Sequence, residues 1–235
     1  MNRLAEKGYN PRLMKKCPMI SRKQKAMRKN FAEQYGPWSI KKWSRVLFTD
    51  ESKVNLISSD GAKYSWMSES EARTFARTQQ NMKHSYKINI WCSMSAKGVG
   101  SIHIIEGNMN AMQYVRILED HLIEDGTRLC GKNFIMQADN DPKHKSRLAQ
   151  KWLARNKIEQ VSWPSNSPDM SPIEHMFHAL KKNLRDRAIR SVEEFKRIII
   201  EEWSYLPVSL TRSLVNSMPR RTEALWKAKG SHTKY

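Results

Sequence analysis

The sequence predicts an α/β domain with a mixed β-sheet, preceded by a basic N-terminal arm. Three observations favour this fold class. The chain has 235 residues, which is enough for one sizeable domain and too few for several. Its hydrophobic content of 39% and its eight Trp residues indicate a packed core. Strand-like apolar segments come first and then alternate with helical segments, as is typical of α/β and mixed-sheet domains.

The first 45 residues are predicted to form the arm, and residues 46–235 the domain. Ser21 is predicted to cap a helix that ends near Tyr35, just before a Gly-Pro pair. Basic residues cluster in this arm: Lys15, Lys16, Arg22, Lys23, Lys25, Arg28 and Lys29. The cluster is interpreted as a nuclear-import signal, as a surface that contacts phosphates, or as a solvated helix face.

Short apolar segments predict the first strands of the domain. Residues 46–49 form one strand, which ends at Asp50, and residues 54–57 form a second strand that pairs with it in a hairpin. Residues 86–91 alternate as in a half-buried strand. Residues 101–105 follow a glycine-rich turn and form another strand.

In the second half of the chain, helical and extended segments alternate. Asn110 is predicted to cap a helix that runs to Leu122, with apolar residues spaced about 3.6 apart. The further elements predicted here are a strand at 134–136, a helix at 144–156, a strand at 158–161, and helices at 172–188 and 191–203.

The charge of the chain predicts a polyanionic partner. Lys and Arg number 42 against 23 Asp and Glu, which gives a formal charge of +19 and a pI near 10. Nucleic acid is the commonest partner of so basic a chain. A solvated basic surface and a ribosome-type scaffold are the alternatives.

The cysteines and the apolar runs exclude several protein classes. Cys17, Cys92 and Cys130 are odd in number and contain no C-x-x-C pair, so neither a disulfide framework nor a zinc site is predicted, and a reducing compartment is expected. The longest apolar runs, such as residues 198–200, are too short to span a membrane. The N-terminus has no apolar stretch of the kind that directs secretion.

Two acidic residues follow predicted strands, where ligand-handling side chains converge in α/β sheets. They are Asp50 and Asp139. Carboxylate oxygens are the ligands that Mg²⁺ prefers, and two such ions can support phosphoryl transfer. Each acid also has a structural interpretation. Asp50 can end a strand or begin a turn, and Asp139 can form an Asx turn before Asp141.

Glu174 is the third candidate, and its structural interpretation is favoured when it is considered by itself. Ser171, Pro172 and Glu174 occupy the N-cap, first and third positions of a predicted helix. This arrangement is typical of a capping box. From residue types alone, the three acids therefore do not establish a metal site.

Three longer blocks resemble the catalytic blocks of Tc/mariner transposases. They span residues 48–52, 137–144 and 163–175, in the order found in that family. Thirty-four residues separate Asp139 from Glu174, a spacing that resembles the Tc branch. The resemblance extends from about Leu4 to Tyr235, although Cys92 stands where the family usually has Gly.

The resemblance implies an RNase H-like fold, a mixed five-stranded sheet flanked by helices. It maps Asp50, Asp139 and Glu174 onto a metal-binding catalytic triad that uses Mg²⁺, with Mn²⁺ as a substitute. Asp141 competes with Asp139, but the family pattern and the strand register favour Asp139. Glu51 is interpreted as structural.

His144 and His175 are interpreted as residues that start helices or contact DNA, because Mg²⁺ prefers oxygen ligands.

The implied reaction is cleavage at transposon ends, followed by joining of the freed 3′-hydroxyl to a TA target. The implied partners are transposon-end and target DNA in a homodimer or synaptic assembly. The expected location is the nucleus, and no membrane partner is expected.

Residues 62–85 correspond to a loop that reaches a partner subunit in the family. Its Trp66, Arg73, Arg77 and Lys83 either make such contacts or belong to a flexible surface loop.

Relatives in the family normally begin with two helix-turn-helix modules, and this sequence begins near the end of the linker that follows them. We expect a truncated copy, a gene-model fragment or a domesticated remnant. Three functions compete. The first is an active transposase catalytic domain. The second is a catalytically idle DNA-binding or regulatory remnant. The third is a general RNase H-like nuclease, which the Trp163-Pro164-Ser165 block and the C-terminal residues argue against.

Overall fold

A computed structural model describes residues 19–56, 86–185, 187 and 189–235. The strands in these residues are β1 (Val46–Asn55), β2 (Lys87–Ser95), β3 (Gly98–Ile105), β4 (Ile135–Gln137) and β5 (Glu159–Gln160). The α-helices are α1 (Arg22–Tyr35), α2 (Ile40–Trp43), α3 (Ala111–Ile117), α4 (Ile123–Cys130), α5 (Arg147–Arg155), α6 (Pro172–Leu184), α7 (Val192–Ser204), α8 (Val208–Asn216) and α9 (Met218–Lys227). A π-helix (Leu118–Leu122) joins α3 to α4, and a 3₁₀ turn (Pro168–Met170) precedes α6.

The five strands form one mixed sheet in the order β3-β2-β1-β4-β5. β1 pairs with β2, and β2 with β3, in antiparallel fashion. β4 pairs in parallel with β1 on one side and with β5 on the other. The predicted mixed five-stranded sheet with flanking helices is therefore confirmed.

The first strand differs from its prediction. β1 is one strand of ten residues, so the predicted hairpin between residues 46–49 and 54–57 is wrong. Its pairing with β2 runs without a break from Phe48 to Asn55. The polar residues from Asp50 onward look like a turn in the sequence. Tertiary pairing with β2 keeps them extended, because β2 offers hydrogen-bond partners along the whole length.

Both faces of the sheet are buried. Side chains alternate along a strand, so Val46 and Phe48 enter one core cluster and Leu47 enters the other. The first cluster lies under α1, α6, α7 and α9, and the second under α3, α4 and α5. No helix among the described residues is long and apolar enough to cross a membrane.

Helix α1 packs on the first cluster. It begins as predicted at Ser21, whose side chain accepts a hydrogen bond from the Gln24 N–H in a capping box. Phe31 and Tyr35 are buried on one helix face, and the Phe31 ring lies 5.1 Å from that of Trp163 in an edge-to-face contact. α1 thereby joins the N-terminal part of the described chain to the loop that contains Trp163.

Candidate active site

Three acidic side chains from separate elements line one cleft. Asp50 comes from the middle of β1, Asp139 from the residues after β4, and Glu174 from the first turn of α6. The cleft has a volume of about 340 Å³. The three acids singled out in the sequence are thus brought together, although 88 residues separate the first two.

The sheet explains how Asp50 and Asp139 come to lie side by side. β1 and β4 are parallel neighbours, and Phe48 of β1 pairs with Gln137 of β4. Each acid lies two residues beyond its member of that pair, so both occupy the same level of the sheet. Neighbouring strands lie about 4.8 Å apart, which keeps the two backbones close at this level. β4 ends at Gln137, so this side of β1 is open at Asp50.

Asp50 is the most perturbed of the three acids. Burial first, and then the charge of Glu174, raise the pKa of Asp50 to about 8, and Asp139 adds to the rise. Its Oδ1 accepts a hydrogen bond of 2.8 Å from the Glu51 N–H. Burial also raises the pKa of Glu174, with Asp139 adding to the effect and Lys181 opposing it.

Asp139 is held by two contacts. Its Oδ1 accepts a hydrogen bond of 2.9 Å from the Asp141 N–H, which forms the Asx turn considered in the sequence analysis. The same oxygen lies 2.7 Å from Nδ1 of His144. At this distance the contact is an ion pair when the ring is protonated. Burial would raise the pKa of Asp139, but His144 and the Asp141 N–H hold it below its usual range.

His144 connects Asp139 to Glu51. Its Nε2 lies 3.0 Å from Oε1 of Glu51. Burial lowers the pKa of His144, but the contacts with Asp139 and Glu51 outweigh burial and raise it to about 9. Lys143 pairs with both Glu51 and Asp141, at 3.4 and 2.7 Å. Asp141 therefore has a cationic partner of its own.

Glu174 does not cap its helix, so the capping box favoured in the sequence analysis is wrong. The Ser171 hydroxyl makes no cap hydrogen bond, and its Oγ is buried without a partner among the described residues. The Ser171 N–H, which a capping box would offer to Glu174, donates to the Pro168 carbonyl at 3.0 Å. The Glu174 carboxylate is therefore available to the cleft.

The donor set fits a hard divalent cation. The cleft presents carboxylates from three elements, and no ion pair with a described residue neutralises Asp50. In the described part of the chain, no three acidic, imidazole or thiol side chains already stand close enough together to hold a metal ion. Like charges repel, and Asp139 is drawn toward His144, so a cation would have to draw the carboxylates together.

The sequence analysis missed a buried ion pair beside the cleft. Arg28, which was assigned to the basic cluster of the arm, is fully buried and forms a two-point contact with Asp169 at 2.7 and 2.8 Å. Spacing on the helix could have revealed that Arg28 is buried, although not that Asp169 is its partner. Arg28 lies three, four and seven residues before Phe31, Ala32 and Tyr35, so it shares their buried face.

Comparison with known families agrees with this geometry. Residues 45–196 match the family described as DDE superfamily endonuclease. The chain belongs to this family. The Tc1 transposase of Caenorhabditis elegans and the Tcb1 transposase of Caenorhabditis briggsae are each 32% identical to it over 237 residues, which cover 99% of this chain and 86% of each relative. The sequence prediction of a Tc/mariner-type DNA transposase catalytic domain is confirmed.

Solved structures share the fold of this DDE endonuclease. The mariner Mos1 paired-end complex with Mg superposes with a TM-score of 0.87 at 21% identity, and the match covers 99% of this chain and 70% of that one. The catalytic domain of Mos1 mariner transposase superposes with a TM-score of 0.72 at 19% identity, over 94% of this chain and all of that one. The RNase H-like fold implied by the sequence is therefore confirmed.

Proposed function

We propose that the domain cleaves DNA strands and joins the cut ends to a new DNA site, using divalent cations held by Asp50, Asp139 and Glu174. The observation that carries this proposal is the position of the three acids along one cleft, with the pKa of Asp50 raised to about 8. A buried carboxylate next to other carboxylates favours a cation in the space between them. Mg²⁺ is the expected ion, and Mn²⁺ a substitute, because both take oxygen ligands.

The reaction is two phosphoryl transfers. In cleavage, a water oxygen bonds to phosphorus, the bond from phosphorus to the 3′-oxygen breaks, and the 3′-oxygen takes up one of the water protons. In joining, that 3′-hydroxyl oxygen bonds to a target phosphorus, and the displaced 3′-oxygen of the target takes up the proton. When bound, divalent cations stabilise charge on the attacking and leaving oxygens.

The chain's own residues orient the acids for this chemistry. His144 and the Asp141 N–H fix the position of Asp139, and Glu51 holds the other side of the His144 ring. Asn140 donates a hydrogen bond of 2.6 Å to the Trp163 carbonyl, which ties the turn after β4 to the opposite wall of the cleft.

The DNA partners are proposed from the charge and from the relatives. A formal charge of +19 favours binding to phosphates. The solved relatives include a Mos1 paired-end complex with a left transposon end and a Mos1 strand transfer complex. We propose transposon ends and a TA target as the substrates, a homodimer or synaptic assembly as the active form, and the nucleus as the location.

The proposal is tested by nicking of supercoiled plasmid in Mg²⁺ or Mn²⁺. Asp139→Asn keeps the shape of the side chain and removes its charge. We expect at least about a 100-fold loss of nicking, because cations stabilise the transition state by several kcal/mol and each 1.36 kcal/mol is tenfold in rate. The matched control is Asp141→Asn. Because Asp141 is paired with Lys143, we expect this variant to keep most of the nicking activity.

The outcomes separate the competing interpretations. Loss of nicking in Asp141→Asn but not in Asp139→Asn would show that the wrong acid has been assigned. A wild-type domain that binds DNA but does not nick it in either metal would favour the idle remnant.

A further inference from the structure

The loop before α6 forms one wall of the cleft and leads directly to Glu174. We call residues 163–171 the cleft loop; most of them line the cleft. The loop contains the 3₁₀ turn, and Asn166 adopts the left-handed conformation with φ of 52°. Because Ser171 provides no side-chain cap, the start of α6 is not fixed by its own N-cap. Contacts made by the rest of the cleft loop must fix it.

Arg28 of α1 holds the cleft loop at two points. Its two terminal nitrogens donate to the two carboxylate oxygens of Asp169, at 2.8 and 2.7 Å. One of them also donates to the Asn166 carbonyl at 3.2 Å. A planar guanidinium that binds a carboxylate through two bonds determines orientation as well as distance. The loop therefore has one geometry relative to α1.

The C-terminal segment, residues 230–235, completes the same network. Arg28 donates to the carbonyls of Gly230 and Ser231 at 2.9 and 3.1 Å, so it makes five hydrogen bonds, as many as a guanidinium has N–H donors. Thr233 donates to Oδ2 of Asp169 through its backbone N–H at 3.2 Å and its hydroxyl at 2.9 Å. The C-terminal segment thus contacts both members of the ion pair.

Two further contacts hold these parts together. Arg221 of α9 is buried and donates to the backbone carbonyl of Asp169 at 2.8 Å. Gly230 packs directly on α1: its φ is +80°, and a Cβ at this position would stand 2.1 Å from the Lys25 carbonyl oxygen. Only glycine allows so close an approach, so the backbone of the C-terminal segment is pressed against the helix that carries Arg28.

We propose that Arg28, Asp169 and Thr233 are positioning residues that hold the cleft loop so that Glu174 faces Asp50 and Asp139. This inference rests on the proposed metal-dependent function. A buried ion pair seldom adds stability over an apolar core of the same volume, but it does impose geometry, which a site with three carboxylates needs. The C-terminal segment is then part of the active-site support, although it lies more than 50 residues after Glu174 in the sequence.

The test measures Mn²⁺ binding by the metal-free domain with titration calorimetry, which does not depend on activity. Asp169→Asn removes the charge that Arg28 binds. We expect its Mn²⁺ affinity to fall about 10-fold or more, as when a residue that orients metal ligands is removed. The matched control is Glu202→Gln. Glu202 pairs with Arg187, does not line the cleft, and leaves the same 9% of its side chain exposed as Asp169. We expect it to weaken the fold without changing Mn²⁺ affinity.

A milder variant keeps the test valid if Asp169→Asn does not fold. Thr233→Val removes one hydroxyl donor and keeps the backbone N–H. We expect a smaller fall in Mn²⁺ affinity and faster amide hydrogen exchange in residues 163–174 than in wild type. If amide hydrogen exchange in residues 163–174 is the same in Thr233→Val as in wild type, the C-terminal segment does not help to hold the cleft loop.

The results distinguish this inference from the proposed function. Wild-type Mn²⁺ affinity in Asp169→Asn and Thr233→Val, together with weakened binding in Asp139→Asn, would overturn the positioning role and leave the metal site in place. An equal loss in Glu202→Gln and Asp169→Asn would show a general effect of destabilisation and would also overturn it. A wild-type domain that binds no Mn²⁺ would overturn both.

Discussion

At the scale of single residues, Asp50 is the acid whose pKa is changed most by burial and by the neighbouring carboxylates of the cleft. Burial and the charge of Glu174 raise its pKa to about 8, against about 3.9 for Asp in an unfolded chain. Because the folded pKa is the higher one, the contribution of Asp50 to stability is complete below about pH 4 and is lost as the pH rises toward 8. Above neutral pH, the metal-free folded domain therefore carries the buried negative charge of Asp50, which lowers its stability.

Asp50→Asn should relieve this cost. We expect the metal-free variant to unfold at a higher temperature than wild type at pH 8, and the difference to shrink toward pH 4. A difference of 1 kcal/mol corresponds to about 2–4 °C for a chain of this size. Thermal unfolding in EDTA at both pH values measures it. Glu223→Gln, in an exposed pair with Lys227, is the control and should show no such pH-dependent gain. Equal unfolding temperatures of Asp50→Asn and wild type at pH 8 would contradict the assigned environment of Asp50.

At the scale of elements, α1 belongs to the packing of the core. Phe31 is buried between Tyr35 and Trp163, with ring centroids at 4.6 and 5.1 Å. The Tyr35 hydroxyl accepts a hydrogen bond of 2.8 Å from the Ser162 N–H, next to the cleft loop. Loss of the Phe31 ring would leave a cavity between the helix and the loop.

Phe31→Ala should therefore destabilise the whole domain. We expect a loss of about 3–5 kcal/mol in the free energy of unfolding, as for other buried aromatic residues. Urea denaturation measures it. Lys29→Ala changes the same helix on its exposed face, where Lys29 pairs with Glu33, and should change stability by less than about 0.5 kcal/mol. If the two variants were equally stable, α1 would be a detachable arm and not a part of the core.

Most elements could be predicted from local patterns, and the exceptions have tertiary causes. The caps at Ser21 and Asn110 are local hydrogen bonds, and the structure has both. β1 was divided in two because its polar middle is held extended only by β2, which is distant in sequence. Helices α2, α8 and α9 were not predicted.

The candidate site shows the same limit. The three acids could be found because the blocks that contain them resemble the catalytic blocks of the Tc/mariner family, whereas residue types alone did not establish them. The partners of Asp169 could not, since Arg28 and Thr233 lie 141 and 64 residues away from it. The position of Glu174 in the sequence suggested a capping box. Two contacts seen only in the fold decide against it: the Ser171 hydroxyl makes no cap hydrogen bond, and the Ser171 N–H donates to the Pro168 carbonyl.

At the scale of the whole molecule, the excess of positive charge should govern DNA binding. Most of the basic face of α1 is exposed, including Lys23, Lys25 and Lys29, whereas Arg28 is turned into the core. Arg28 is thus unavailable to phosphates, and the remaining surface charge carries the interaction. Affinity that comes from phosphate contacts depends on the release of counterions.

We expect this chain to bind any duplex, with affinity falling by orders of magnitude between roughly 50 and 200 mM salt. Scrambled and inverted-repeat DNA should compete almost equally, because phosphate contacts carry no sequence information. A fluorescence titration at the two salt concentrations with both competitors measures this. A strong preference for one sequence would point to a base-reading surface in residues 1–45.

The location of bound Mn²⁺ tests the central claim most directly, namely that Asp50, Asp139 and Glu174 form one metal site. Crystals of the domain soaked in Mn²⁺ can be measured at a wavelength where manganese scatters anomalously. We predict an anomalous peak in the cleft, at roughly 2.0–2.3 Å from carboxylate oxygens of at least two of the three acids, with no peak at that place in Asp139→Asn. Manganese bound only elsewhere on the domain, or an unchanged peak in Asp139→Asn, would contradict it.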